Sequence, residues 1–171
     1  MPDYLFCVDP GSTTGMAVLA LGQHQPEAVV SLQSRPFEEA YDFVSDMSGG
    51  TSIPFPVETL AIVIEDTRRQ PIHAKRGQGK NRSQLGKIAR DVGRIDCMVD
   101  LFESAARRAG FPVILVEPTG AKWDAKLFQR ITGYDKGGNQ HQRDAVRAGW
   151  CVTRKRILSE CQPRAESTNS Q

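Results

Sequence analysis

Three carboxylates in this chain stand where polypeptides commonly place chemistry. Asp9 closes a short apolar run, Tyr4 to Val8, and is followed by Pro10-Gly11. Glu65 closes a second run, Leu60-Ala61-Ile62-Val63-Ile64. Asp144 comes three residues after His141 in a helical segment, a spacing that puts both on one helix face. Acids gathered from such ends repel one another, so either their pKa values rise or a divalent cation offsets the charge. Hard oxygen ligands favour Mg²⁺, with Mn²⁺ as a substitute, over Zn²⁺. Two such ions activate a water and stabilise the leaving oxygen in phosphodiester hydrolysis. On that reading Asp9, Glu65, His141 and Asp144 form a catalytic and metal-binding set with two ions per site. His141 is either a ligand or the group that orients the water.

Each acid also has a plainer reading. An Asp before Pro-Gly is a good turn former, and Glu65 could simply pair with Arg68. Asp66, Glu117 and Asp124 are rival ligands that spacing alone leaves open. Strand alternation does separate one pair: Glu65 and Asp66 should point to opposite faces.

The elements that position these residues follow from hydrophobic periodicity and turn residues. Tyr4–Val8, Met16–Leu21 and Ala28–Leu32 read as three strands with tight connections, an antiparallel meander. Phe37–Met47 carries apolar residues at helical spacing. The 60–64 run does not alternate, as expected for a central strand covered on both faces. Gln84–Ala109 reads as a long helix, its apolar face running through Leu85, Ile88, Ala89, Val92, Ile95, Val99, Phe102 and Ala106. Pro112–Val116 reads as a strand, Ala121–Ile131 as a helix with Trp123, Leu127 and Ile131 on one face, and Gln140 to about Ile157 as the last helix. The order β-β-β-α-β-α-β-α-α gives an α/β mixed sheet, a three-stranded antiparallel meander plus parallel strands, with helices on both faces. One domain is expected over residues 1–160, and the apolar-poor residues 161–171 read as a disordered tail.

Composition narrows the class. A chain of 171 residues suits one core. Four cysteines without CxxC or metal-ligand spacing imply a reduced, intracellular protein, with Cys7 and Cys97 as small core residues. No apolar run approaches the ~20 residues that span a bilayer, and the first residues lack a signal-peptide pattern. A soluble, cytoplasmic protein with no membrane partner is expected.

The net charge of +2 hides a local bias. Arg68, Arg69, Lys75, Arg76, Lys80, Arg82, Lys87 and Arg90 fall within one stretch that contains no acid. Residues 67–82 read as a basic loop whose self-repulsion a polyanion would relieve. Lys122, Lys126 and Arg130 form an i, i+4, i+8 stripe, and Lys87, Arg90 and Arg94 another. Such stripes suit phosphate contacts or are ordinary solvated faces. The DNA-binding set read from the sequence is Arg68, Arg69, Lys75, Arg76, Lys80, Arg82, Lys87, Lys122 and Lys126.

Val8-Asp9-Pro10-Gly11-Ser12 followed by Thr14-Gly15 resembles the opening motif of the RuvC-type Holliday junction resolvases. Ala61-Ile62-Val63-Ile64-Glu65 is similar to their second motif, and His141-x-x-Asp144-Ala145 to their C-terminal one. The resemblance spans most of the chain. It implies an RNase H-like fold, a homodimer, and Mg²⁺-dependent paired nicking of four-way DNA junctions. Two departures stand out. Family members often carry an aromatic wedge just after the second motif, whereas Asp66-Thr67-Arg68-Arg69-Gln70-Pro71-Ile72-His73 has no Phe or Tyr, leaving Ile72 or His73 as substitutes. The 133–139 loop resembles a variable family loop, so Lys122 and Lys126 align only loosely with the basic residues near the family's active site.

Three alternatives stay open. One is an RNase H-like nuclease acting on RNA, RNA–DNA hybrids or flaps. Another is an actin-like or sugar-kinase-type phosphate-binding protein, which needs a second phosphate-binding repeat that this sequence does not display. The third is a DNA-binding module with structural acids. A symmetric dimer is expected to form through helix 84–109, with Met98 and Leu101 widening its apolar face.

Overall fold

Two central strands with no polar alternation must be covered on both faces, and that requirement organises the chain. The computed structural model describes residues 2–47, 57–69, 81–118 and 122–161. Strands β1 (Tyr4–Asp9), β2 (Thr13–Leu21), β3 (Pro26–Pro36), β4 (Leu60–Glu65) and β5 (Val113–Val116) form one sheet in the order β3-β2-β1-β4-β5. The first three are an antiparallel meander, and β1–β4 and β4–β5 are parallel. The helices are α1 (Phe37–Asp46), α2 (Arg82–Arg108), α3 (Ala125–Thr132), α4 (Gln140–Trp150) and α5 (Arg154–Cys161). Among the described residues, no helix is long and apolar enough to cross a membrane.

Side-chain alternation splits the core in two. Phe6, Val8, Leu60, Ile62 and Ile64 face α1 and α2, meeting Val44, Val99 and Phe102. Leu5, Cys7, Ala61 and Val63 face the other way, against Phe128 of α3, Ala145 and Val146 of α4 and Ile157 of α5. The mixed α/β sheet with helices on both faces is therefore as expected.

Several boundaries differ. The helix expected over 140–157 is two helices: Val152 N–H turns back to the Gly149 carbonyl at 2.9 Å, and the Thr153 hydroxyl accepts from Arg156 N–H to start α5. The helix expected from Ala121 starts at Ala125, because the Asp124 carboxylate caps it by accepting from Leu127 N–H at 2.8 Å. Lys122 therefore precedes the helix and does not share a helical stripe with Lys126. Phe128, not the 123/127/131 face, carries the deepest burial on α3, and Ile131 is exposed. Cys7 is buried, but Cys97 is exposed rather than in the core. Met98 is buried within the protomer, which removes it from any dimer patch. The expected tail lies outside the described residues, apart from residue 161.

Helix α4 lies unusually close to the sheet. A Cβ on Gly15 would overlap the His141 carbonyl, and one on Gly149 would overlap Cys7 Sγ and Leu19 Cδ1. Both ends of α4 thus rest on glycines, one in β2 and one in the helix itself. Gly149→Ala is expected to destabilise the chain by about 1–3 kcal/mol, the usual cost of overpacking. Gly15→Ala should cost at least as much, because its obstacle is backbone. Urea midpoints at unchanged slope measure both.

Candidate active site

Strand register sets the first half of the site. β1 and β4 run parallel with Cys7 opposite Val63 and Val8 opposite Ile64, so the two strands end side by side at Asp9 and Glu65. Asp9 shares its face with Leu5 and Cys7, and Glu65 shares its face with Ala61 and Val63. Both carboxylates therefore reach the side covered by α4.

Helix α4 supplies the second half. Its N-terminus is fixed by a capping box: Asn139 Oδ1 accepts from Gln142 N–H, and Gln142 Oε1 accepts from Asn139 N–H. Ser34 of β3 hydrogen-bonds the same Asn139 side chain. In the first turn, His141 Nδ1 stands 3.4 Å from Asp9 Oδ2. Asp144 is buried, and its Oδ1 accepts from Gln140 Nε2 at 3.0 Å.

Arg147 is a site residue that the sequence patterns do not single out. Its Nη2 lies 3.2 Å and 3.4 Å from the two Glu65 oxygens and 3.5 Å from Asp144 Oδ1. Only 5% of the residue is exposed. A signal is nonetheless present: Arg147 follows Asp144 by one turn inside Ala145-Val146-Arg147-Ala148-Gly149, otherwise all small or apolar. A charge within such a buried run requires a counter-charge.

The electrostatics describe a site short of positive charge. Burial, reinforced by Asp144, raises Asp9 to about 7, while Arg147 and Lys122 pull it down. Burial and Asp9 raise Glu65 to about 7 against the opposing pull of Arg147, with Asp144 adding to the rise. Glu65 and Arg147 form an ion pair, but desolvation and two neighbouring acids outweigh it. A carboxylate–imidazole donor set in that condition suits a hard divalent cation. Among the described residues, no three such donors close into a ready-made ion cage.

The other expected residues separate. Asp66, on the opposite face from Glu65, holds Arg68: Arg68 Nε donates to Asp66 Oδ1 at 2.7 Å. The same guanidinium reaches Asp100 and Glu103 on α2. Arg68 is expected from the sequence to bind DNA, yet it is committed to three acids, and they raise its pKa further. In Glu103 burial works upward, but hydrogen bonds from Arg68 and Arg107 prevail and lower its pKa. Of the rival ligands, Asp124 caps α3, and Glu117 lines a small cleft with Glu65, Arg147 and Cys151. Lys122 lies near Asp9, and the neighbouring Trp123 carbonyl accepts from Arg143 Nε of α4 at 2.9 Å. Arg82 and Lys87 are exposed on α2, and Lys126 on α3. Lys75, Arg76, Lys80, Ile72, His73 and the Arg69 side chain lie outside the described residues.

The fold has counterparts among solved structures. Thermus thermophilus RuvC in complex with a Holliday junction substrate superposes with a TM-score of 0.53 at 18% identity, over 86% of this chain and 90% of that one. The fold is RuvC-like. A second Thermus thermophilus RuvC structure gives a TM-score of 0.51 at 17% identity, over 86% and 91%. No family model matches the chain, and no curated protein sequence does. At this identity the likeness to RuvC is one of fold.

The raised carboxylates make a stability prediction. Between their ordinary values near 4 and their folded values near 7, Asp9 and Glu65 hold protons that the unfolded chain has released. Folding stability from these groups therefore falls as pH rises across that window. In the absence of divalent metal, Asp9→Asn should melt several degrees higher than the parent at pH 8, at about 2–4 °C per kcal/mol. The difference should shrink towards pH 5. An equal or larger gain at pH 5 would show that Asp9 is not strained by its charge.

Proposed function

We propose that this protein is a Mg²⁺-dependent endonuclease that cuts branched DNA, resolving four-way junctions by paired symmetric nicks. The observation that carries this reading is the convergence of Asp9, Glu65, Asp144 and His141 at one end of the sheet. Support comes from the fold it shares with a RuvC bound to a Holliday junction substrate.

Asp9, Glu65, Asp144 and His141 would hold the divalent metal, Mg²⁺ with Mn²⁺ as a substitute. When bound, it supplies positive charge to the attacking and leaving oxygens of the phosphodiester. The chain's own groups do the rest. Held by the 3.4 Å contact between its Nδ1 and Asp9 Oδ2, His141 would serve as a ligand or, where it is not bound, orient the attacking water. Lys122, close enough to lower the Asp9 pKa, is placed to meet a phosphate beside the site. The exposed cations Arg82, Lys87 and Lys126 extend this into a backbone-binding surface. A protein acting on chromosomal branches in this way would work in the cytoplasm.

Paired nicking needs two sites facing one junction, and a two-fold homodimer provides them. The stripe of α2 that packs through Val99 and Phe102 continues towards the helix start, where Leu85 is 42% exposed and Ile88 is only half-buried. That uncovered end is the dimer contact in this reading.

Cleavage of a synthetic four-way junction beside a duplex, a flap and an RNA–DNA hybrid, with and without Mg²⁺, tests the activity. Asp144→Asn should lose at least about 10²-fold in rate while keeping DNA affinity. His141→Asp should retain more activity than His141→Ala, since a carboxylate still binds metal. Full cleavage by Asp144→Asn would end the site assignment, and preference for the hybrid or flap would redirect the substrate. Replacing Arg82, Lys87 and Lys126 with Ala should flatten the salt dependence of binding, by up to about 0.9 in log–log slope for each phosphate no longer engaged. Light scattering with and without junction DNA reads the oligomer. A persistent monomer that still cuts both strands in one encounter would remove the dimer.

A further inference from the structure

A buried arginine among acids on a helix is a commitment made at folding. Arg147 Nη2 approaches both Glu65 oxygens and Asp144 Oδ1 within 3.2–3.5 Å. Its chain neighbours Ala145, Val146, Ala148 and Gly149 are all buried, so the helix cannot carry the guanidinium away from the sheet without exposing them. Its side chain is 6% exposed, and those of Glu65 and Asp144 are 8% and 10%. A flexible, solvated lysine could withdraw when a cation arrives; this arginine has little room to do so.

Asp9 is arranged differently. The partner the structure gives its carboxylate is His141, at 3.4 Å, and the Asp9 side chain is more open than those of Glu65 and Asp144, at 19%. The site is therefore asymmetric: Arg147 touches Glu65 and Asp144 directly, while on Asp9 it and Lys122 act through their charge alone.

We propose that Arg147 serves as a resident cation on the Glu65–Asp144 side, so that this chain takes up one divalent ion, on the Asp9–His141 side, rather than two. The proposal rests on the metal-dependent nuclease reading above and adds the number of ions and the residue that sets it. It departs from the two ions per site expected from the sequence, because that expectation counts the acids and not the arginine packed among them.

Titration calorimetry of Mn²⁺ into the full chain without DNA tests it. The parent should bind one ion per chain. Arg147→Met, which keeps bulk and removes charge, should bind a second ion or hold the first at least about tenfold more tightly. Arg147→Gln, which keeps hydrogen-bonding capacity towards Glu65 and Asp144, carries the same expectation if the methionine variant does not fold. Two ions on the parent overturn the proposal, as does an uncharged variant whose stoichiometry and affinity match the parent. A parent that binds no Mn²⁺ overturns the metal-dependent reading itself, which separates the two failures.

Discussion

The contact on which the rest of the site depends is the seating of α4 directly on β1 and β2. Only a residue without a side chain at position 15 allows the His141 backbone to approach β2, and only one at 149 lets the helix end pass over Cys7 and Leu19. Between these two points α4 has almost no freedom to rise or rotate. His141, Asp144 and Arg147, at successive intervals of three residues, are thereby held over the ends of β1 and β4. The glycine of the opening motif thus has a mechanical role: it sets the depth at which the acidic helix docks.

That close seating has an electrostatic consequence. Bringing a helix carrying an acid against two strand-end acids removes water from all three, and desolvation becomes the largest influence on Asp9 and Glu65. Arg147 offsets part of the repulsion. The remaining imbalance is one that the divalent ion of the proposed function would offset. Concentrating like charges in this way costs stability, as is common where charges are gathered for function.

A second charged cluster lies on the other side of the sheet. Asp66 follows Glu65 by one residue and so points away from the site, where Arg68 ties it to Asp100 and Glu103 of α2. Thr67 adds a hydrogen bond to Asp96. This cluster anchors the chain as it leaves β4 and fixes the start of the basic segment against α2. One residue of strand pleat thus separates a carboxylate of the candidate site from a carboxylate of the scaffold.

The fold class, the three carboxylates and the alternation that excludes Asp66 are legible from residue type and period alone, because buried strands and amphipathic helices leave strong local patterns. Helix boundaries are less so: Asp124 and Thr153 act as caps, and a cap is distinguished from a helical residue only by the hydrogen bond it makes. The surface helix 82–95 carries the same apolar period as its buried half, so sequence does not show that Leu85 stays exposed, or that Cys97 lies outside the core. Arg68 reads as a free cation because its partners Asp100 and Glu103 lie 32 and 35 residues away. Arg147 escapes notice for the same reason, since its partner Glu65 is 82 residues distant. The sequence determined which groups carry charge and which faces are apolar. Only the tertiary structure decided which charges meet, because ion pairing depends on distances that chain order does not encode.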